Sequence, residues 1–168
     1  MGIYSRYHNY LYDKKIKNKL KGIKKIGVGL KTFGLPELIN PSGISIGDNV
    51  NINDRVILNA TDSEIIIGNN VTISSNSMIL AASYDVKRFL SGGADNKKHK
   101  YGRITIGNNV WICAGAIILS NVTITDHVVV AAGSVVIKDI NEAWCIVAGN
   151  PAKVVKRIEH AQDIASEQ

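Results

Sequence analysis

The stretch ITIGNNVWICAGAIILSNVTITDHVVVAAGSVVIKDI, residues 104–140, decides the fold. Within it Ile106, Ile112, Ile118, Ile124, Val130 and Val136 recur every six residues without a miss. An amphipathic helix asks for apolar residues about every 3.6 positions, and a half-buried strand for every second one. A period of six with turn residues between predicts a coiled β-solenoid, in which short strand and corner alternate. Outward from this stretch the same grid runs through Ile46, Ile52 and Leu58, then Ile67, Ile73 and Ile79.

The positions between grid residues fit the same reading. Four residues after most grid positions stands a compact or β-branched residue: Val50, Val56, Val71, Ser77, Val110, Ala116, Val122, Val128 and Ser134. Gly47-Asp48-Asn49, Gly68-Asn69-Asn70 and Gly107-Asn108-Asn109 supply corners, where small residues and residues tolerating positive φ are needed. Three hexads make one triangular turn, so the grid predicts four full coils with partial coils at each end, stacked about 4.8 Å apart. A prism of aliphatic layers has little room for rings, which fits six Tyr, two Trp and two Phe in 168 residues.

Two interruptions break the grid. From Leu58 to Ile67 the step is nine residues, a bulge around Thr61-Asp62-Ser63. From Ile79 to Ile106 it is twenty-seven, so residues 84–103, YDVKRFLSGGADNKKHKYGR, leave the coil. A long polar excursion from a strict repeat points to function. The resulting division is a basic helical lead-in over residues 1–35, a solenoid over 40–150 carrying the excursion, and a closing segment with a tail over 151–168. In the lead-in Tyr10, Leu11, Ile16, Leu20 and Ile23 fall at helical spacing among lysines, and Gly27, Gly29 and Gly34 introduce an irregular first coil.

The net charge is +6, concentrated in the lead-in, in the excursion (Lys87, Arg88, Lys97, Lys98, Lys100, Arg103) and at the end (Lys153, Lys156, Arg157). Such clusters attract phosphates, whether of lipid or of small molecules. No nucleic-acid-binding motif accompanies them, so no nucleic-acid partner is expected. The lead-in leaves open a peripheral contact with an anionic membrane surface. With no apolar run long enough to span a bilayer and no secretory pattern, the expected location is cytoplasmic. Cys113 and Cys145 are too few for a disulfide framework or a metal site.

On these residues the chain resembles the hexapeptide-repeat acyltransferases, closest to the maltose and galactoside O-acetyltransferases and their relatives in surface-polysaccharide synthesis. The likeness covers residues 40–157 and is narrowest at Asn108-Asn109-Val110-Trp111-Ile112 and at Gly149-Asn150-Pro151-Ala152-Lys153. It implies an all-β, left-handed parallel β-helix, a homotrimer, and acyl transfer from acetyl-CoA, without a metal, onto a carbohydrate held between subunits. The left hand comes from the likeness alone, since crossover rules favour the right. Carried over by position, Asn53 orients the acceptor, with a corner asparagine closing a turn as the alternative. Trp111 walls the donor cleft. Ala114 and Ala132 leave room for the pantetheine arm, and Lys138, Lys153 and Lys156 meet the donor phosphates; the charge of Arg157 beside them completes a candidate anion site.

At one position the chain departs from the family. Where its members carry a general-base histidine, this chain has Tyr84, a phenol un-ionised at neutral pH. Asp85 or His99 of the same loop are the candidate substitutes. An amino-sugar acceptor, free or nucleotide-linked, would need less help, so N-acetylation stands as an alternative to O-acetylation. A third reading is an inactive trimeric scaffold. His127 reads as a surface corner, and His8 and His160 lie in the appendages. The four histidines hold no close pair for the three-histidine zinc site of a carbonic anhydrase on the same solenoid. Cys113 has no neighbour in sequence that would activate it as a nucleophile.

Overall fold

The structure, a computed structural model, describes residues 14–92 and 98–158, with residue 99 described by its backbone. Tyr10, Leu11, His8, Lys97, His160 and the tail from 159 onward lie outside the described residues. Helix α1 covers residues 14–20. The chain then winds as a left-handed parallel β-helix. Its first coil is β1 (Lys25–Ile26), β2 (Lys31–Phe33) and β3 (Glu37–Ile39). The second is β4 (Ile44–Ile46), β5 (Asn51–Asn53) and β6 (Ile57–Asn59), and the third β7 (Ile65–Ile67), β8 (Thr72–Ile73) and β9 (Met78–Leu80).

The excursion holds β10 (Ser83–Tyr84), α2 (Val86–Leu90) and β11 (His99–Lys100), with β10 and β11 antiparallel. Coil four is β12 (Ile104–Ile106), β13 (Trp111–Ile112) and β14 (Ile117–Ile118). Coil five is β15 (Thr123–Ile124), β16 (Val128–Val130) and β17 (Val135–Val136). A sixth coil begins at Ile140, bridged to Ile124, and ends in β18 (Cys145–Gly149), against which β19 (Ala152–Arg157) folds back antiparallel. The three sides of the prism are thus parallel sheets in the orders β1-β4-β7-β12-β15, β2-β5-β8-β13-β16-β18 and β3-β6-β9-β14-β17.

The solenoid therefore reaches back to Lys25, into the segment assigned from sequence to the lead-in. Ile26, Thr32 and Leu38 keep the six-residue step and pair with Ile46, Ile52 and Leu58 of the next coil. Thr32 at an inner position hides this coil from an aliphatic filter. The grid residues from Ile44 onward are sealed from solvent, as are the compact residues at the corners from Val50 to Ser134. Layer on layer of Ile and Val forms one continuous core.

The Gly-Asx-Asn corners have a specific cause. Asp48 Oδ1 accepts from Val28 N, Asn69 Oδ1 from Asp48 N, Asn108 Oδ1 from Asn69 N and Asp126 Oδ1 from Asn108 N, at 2.7–2.9 Å. Each coil is thus pinned to the one before by a side chain reaching backwards. The preceding glycine must be bare: a Cβ on Gly47 would lie 2.5 Å from Asn69 Oδ1, and one on Gly68 2.7 Å from the Gly107 carbonyl oxygen. The asparagine that follows takes positive φ at Asn49, Asn70 and Asn109, and their amides hydrogen-bond coil to coil at 3.3 Å. His127 occupies the same corner at φ 59° and stacks flat on Trp144, with ring centroids 4.0 Å apart. It caps the ladder as a corner residue.

The two interruptions of the grid brace one another. The bulge ends at buried Ser63, whose Oγ accepts from Gly102 N at 3.0 Å as the excursion returns. Next to it, Glu64 takes hydrogen bonds from Lys24 (2.9 Å), Tyr101 (2.9 Å) and Arg103 (2.8 Å). Lys24, Tyr101 and Arg103 hold the Glu64 carboxyl down to about 2. One carboxylate therefore fastens the entry strand, the bulge and the root of the excursion.

Candidate active site

The outer surface of the second side carries a row of polar and small residues. Asn51 and Asn53 flank buried Ile52 and so point outward from β5. Asn53 stands above Phe33, and the register continues through Ser74, Cys113 and Ala131. Trp111 lies in the neighbouring row between Thr72 and Val129. Half exposed, it is steadied by a hydrogen bond from Nε1 to Ser74 Oγ at 3.0 Å. A rigid indole thus stands beside a shallow row of small residues.

At the corner between the second and third sides, Ala114 and Ala132 stack one coil apart and are exposed, with Gly133 N donating to the Ala114 carbonyl at 3.0 Å. Gly115 and Gly133 follow at φ 69° and 68°, and a Cβ on Gly133 would meet nothing within 4 Å. The result is an open, side-chain-free edge running up two coils. Further up, Lys138 and Lys153 line one cleft of about 340 Å³ together with Ile137, Pro151 and Ala152. Two of the three lysines assigned from sequence are thereby brought together, while Lys156 is exposed further along β19. Arg157, grouped with them from sequence, is committed elsewhere: its guanidinium pairs with Glu142, Nη2 to Oε2 at 3.1 Å. Cys113 is half buried, and desolvation raises its pKa, which keeps the thiol protonated rather than nucleophilic.

The loop residues gather at the opposite edge of the third side. Tyr84, 43% exposed, stacks on Phe89 with centroids 5.9 Å apart. Asp85 caps α2, its Oδ1 accepting from Arg88 N at 3.1 Å. That hydrogen bond occupies one oxygen of a candidate base. The β10–β11 ladder sets the His99 backbone directly opposite Tyr84, a Cα separation of about 5 Å in such a pair. A cleft of about 420 Å³ opens here between Tyr84, Asp85, Lys87 and Lys100 on the loop and Ser120 and Asn121 on the solenoid.

The two clusters do not meet within one chain. In coil four the third side spans from the corner at Gly115 to the corner at Asn121, roughly 15–20 Å at strand rise. Between the clusters the outer surface of that side is aliphatic. Ile57, Met78, Ile117 and Val135 form one outward row, headed in the first coil by Glu37, and Ile39, Leu80, Leu119 and Ile137 extend a second, interrupted by Asn59. The first side instead shows Ser45, Ile66, Thr105 and Thr123. This contrast is present in sequence, as apolar residues on both sides of Ile79, Ile118 and Val136, which the six-residue period by itself does not register. Lys87 and Lys100 as cleft walls, and Ser74 as the support of Trp111, also emerge only in three dimensions.

A left-handed solenoid of six-residue repeats with this corner and this loop defines a class, the hexapeptide transferases. Residues 103–138 match the family described as bacterial transferase hexapeptide (six repeats). Among solved structures, a maltose O-acetyltransferase from Clostridium difficile 630 is 31% identical, over 89% of this chain and 77% of that one, with a TM-score of 0.76. A galactoside acetyltransferase in complex with coenzyme A is 33% identical, over 82% of this chain and 68% of that one, with a TM-score of 0.73. AntD, an N-acyltransferase from Bacillus cereus solved as a variant with dTDP and coenzyme A, is 26% identical, over 90% and 92% of the two chains, with a TM-score of 0.63. No curated protein matches in sequence. The chain belongs to the hexapeptide-repeat acetyltransferases and is an acyltransferase.

Proposed function

We propose that this enzyme transfers an acetyl group from acetyl-CoA directly onto a sugar or surface-polysaccharide precursor, in clefts shared between the subunits of a homotrimer. The carrying observation is the separation of the two clusters by an aliphatic side. Packing three such sides about a threefold axis hides the aliphatic rows and brings the alanine corner of one copy toward the loop of the next. Complexes of relatives with coenzyme A support the donor. A charged thioester that does not cross membranes fits a cytoplasmic site of action. Among the described residues no helix is long and apolar enough to cross a membrane.

In this reading the pantetheine arm lies along Ala114 and Ala132, walled by Trp111. The adenosine phosphates lie near Lys138 and Lys153, with Lys156 adding longer-range attraction. Among the described residues neither Ala114 N nor Ala132 N donates a hydrogen bond, so both are available to the donor amides or to the developing oxyanion. Asn53 orients the acceptor. His99 removes its proton, at a place on the ladder opposite the tyrosine that replaces the family histidine, while Tyr84 and Asp85 position the attacking group. The oxygen or nitrogen then adds to the thioester carbonyl, and the tetrahedral intermediate expels the coenzyme thiolate, which takes up a proton. No bond to the enzyme forms.

A second reading, N-acetylation of an amino sugar, is favoured by Tyr84 itself and by the likeness to an N-acyltransferase. Thiol release from acetyl-CoA, measured against matched hydroxyl and amino sugars, separates the two. His99→Ala should lower kcat by about 10²–10⁴-fold with the true acceptor. An unchanged kcat would remove His99 from the mechanism, and no thiol release with any sugar would favour an inactive scaffold.

A further inference from the structure

The lysines of the excursion are a charge that acetyl transfer to a neutral sugar leaves without purpose. Lys87 lines the 420 Å³ cleft from α2 and Lys100 lines it from β11, so the two arms of the loop each bring one lysine to the same hollow. Among the described residues neither is ion-paired, while Glu64, Asp54 and Glu142 pair with Lys24, Arg103, Arg55 and Arg157. The carboxylate on the cleft wall, Asp85, accepts from Arg88 N and offsets one of the two lysines, so the hollow keeps a positive excess. Opposite the lysines stand Ser120 and Asn121, neutral partners suited to ring hydroxyls. Seating a neutral ligand against two ammonium groups would strip water from charge with no return, whereas an anion offsets that loss. The volume accommodates a monosaccharide bearing one charged substituent.

We propose that the acceptor carries a compact anionic group, a phosphate or a carboxylate, seated between Lys87 and Lys100 while its hydroxyl or amine faces the donor; this rests on the reading of the cleft as the acceptor site. The anion fixes the sugar by a part of the molecule that does not react. Neutral maltose-like or galactoside-like acceptors lack this anchor and bind weakly.

The test is calorimetric titration of the full-length protein saturated with coenzyme A, which keeps the donor's own phosphate site filled. Five probes distinguish the sources of charge: glucosamine, glucosamine 6-phosphate, glucosamine 1-phosphate, UDP-glucosamine and galacturonate. At least one anionic probe should bind about tenfold or more tightly than glucosamine, the value of one charge-assisted contact. In the double variant Lys87→Gln/Lys100→Gln that ratio should fall towards one, with the circular dichroism spectrum unchanged. The proposal is overturned if no anionic probe outbinds glucosamine, or if the double variant keeps the advantage. Failure to bind coenzyme A strikes the transfer reading instead, and the comparison of wild type with double variant reads the same without donor.

Discussion

Gly107→Ala puts the corner ladder under direct strain. The added methyl would overlap Asp126 Oδ1 and lie 2.8 Å from both the Asp126 nitrogen and the Thr125 carbonyl carbon. Asp126 then has to swing away from Asn108, whose backbone N–H and side-chain amide it now accepts at 2.7 and 3.2 Å. The two backbone atoms cannot yield as a side-chain tip can, so coils four and five must separate locally. Overpacking of this kind costs about 1–3 kcal/mol. The lost charge-assisted bond adds about 1 kcal/mol once discounted for partial exposure. Stiffening of the unfolded chain returns about 0.5 kcal/mol, leaving a net loss of about 1.5–3.5 kcal/mol.

Gly133→Ala is the control. Its methyl meets nothing within 4 Å, so the cost is the φ of 68°, about 1–2 kcal/mol, less the same return of about 0.5 kcal/mol from the unfolded chain. Urea unfolding at one fixed protein concentration measures both, because assembly makes midpoints concentration-dependent. The loss at Gly107 also has a pH signature. Asn108 lowers the Asp126 pKa, so the ladder contact stabilises fully above the ordinary carboxylate range and fades as pH falls through the folded value. The penalty of Gly107→Ala should therefore shrink in acid. Equal losses for the two variants, or no loss at Gly107, would refute the account of why the corner glycines are bare.

Lys153→Ala should raise the Michaelis constant for acetyl-CoA about tenfold with little change in kcat, because a phosphate contact is uniform binding; an unchanged constant argues against the upper cleft as the phosphate site. Glu64→Gln should lower the melting temperature at neutral pH. Since the Glu64 carboxyl is held down to about 2 from an ordinary 4.5, that deficit should be full above pH 4.5 and disappear as pH approaches 2. A deficit that persists unchanged at low pH would mean that charge has no part in fastening the excursion. Ile117→Lys on the third side should convert the assembly to monomers by light scattering, and a variant of undiminished mass would free that side from the interface.

The repeat was legible because the grid side chain of each hexad enters a sealed layer, and from Ile46 onward that position is held by Ile, Leu or Val. Thr32 shows the limit: a single β-branched hydroxyl at an inner position satisfied the geometry but not the search for Ile, Leu and Val. The steps of nine and twenty-seven residues hid which coil lies over which, so the bracing of Gly102 by Ser63, and of Tyr101 and Arg103 by Glu64, could not be read along the chain. Trp111, Ala114, Ala132, Lys138 and Lys153 were named through the family likeness alone; the structure stacks Ala114 against Ala132 and sets Lys138 and Lys153 along one cleft. Arg157 was grouped with the lysines on charge alone, since its pairing with Glu142 depends on β19 folding back over β18. The opposition of His99 and Tyr84 needed the ladder register, which a loop sequence does not encode in any period.

Subunit complementation tests most directly whether each site is built from two copies. One chain carries Ala114→Trp, which obstructs the donor edge, and the other carries Tyr84→Ala, Asp85→Ala and His99→Ala together. Each assembly alone should be inactive towards an accepted sugar. When the two are co-expressed and purified through both tags in turn, each mixed trimer has one interface that pairs an intact edge with an intact loop, so about a third of wild-type activity should return. Mixed assemblies no more active than their parents would place both halves of the site in one chain and contradict the shared cleft.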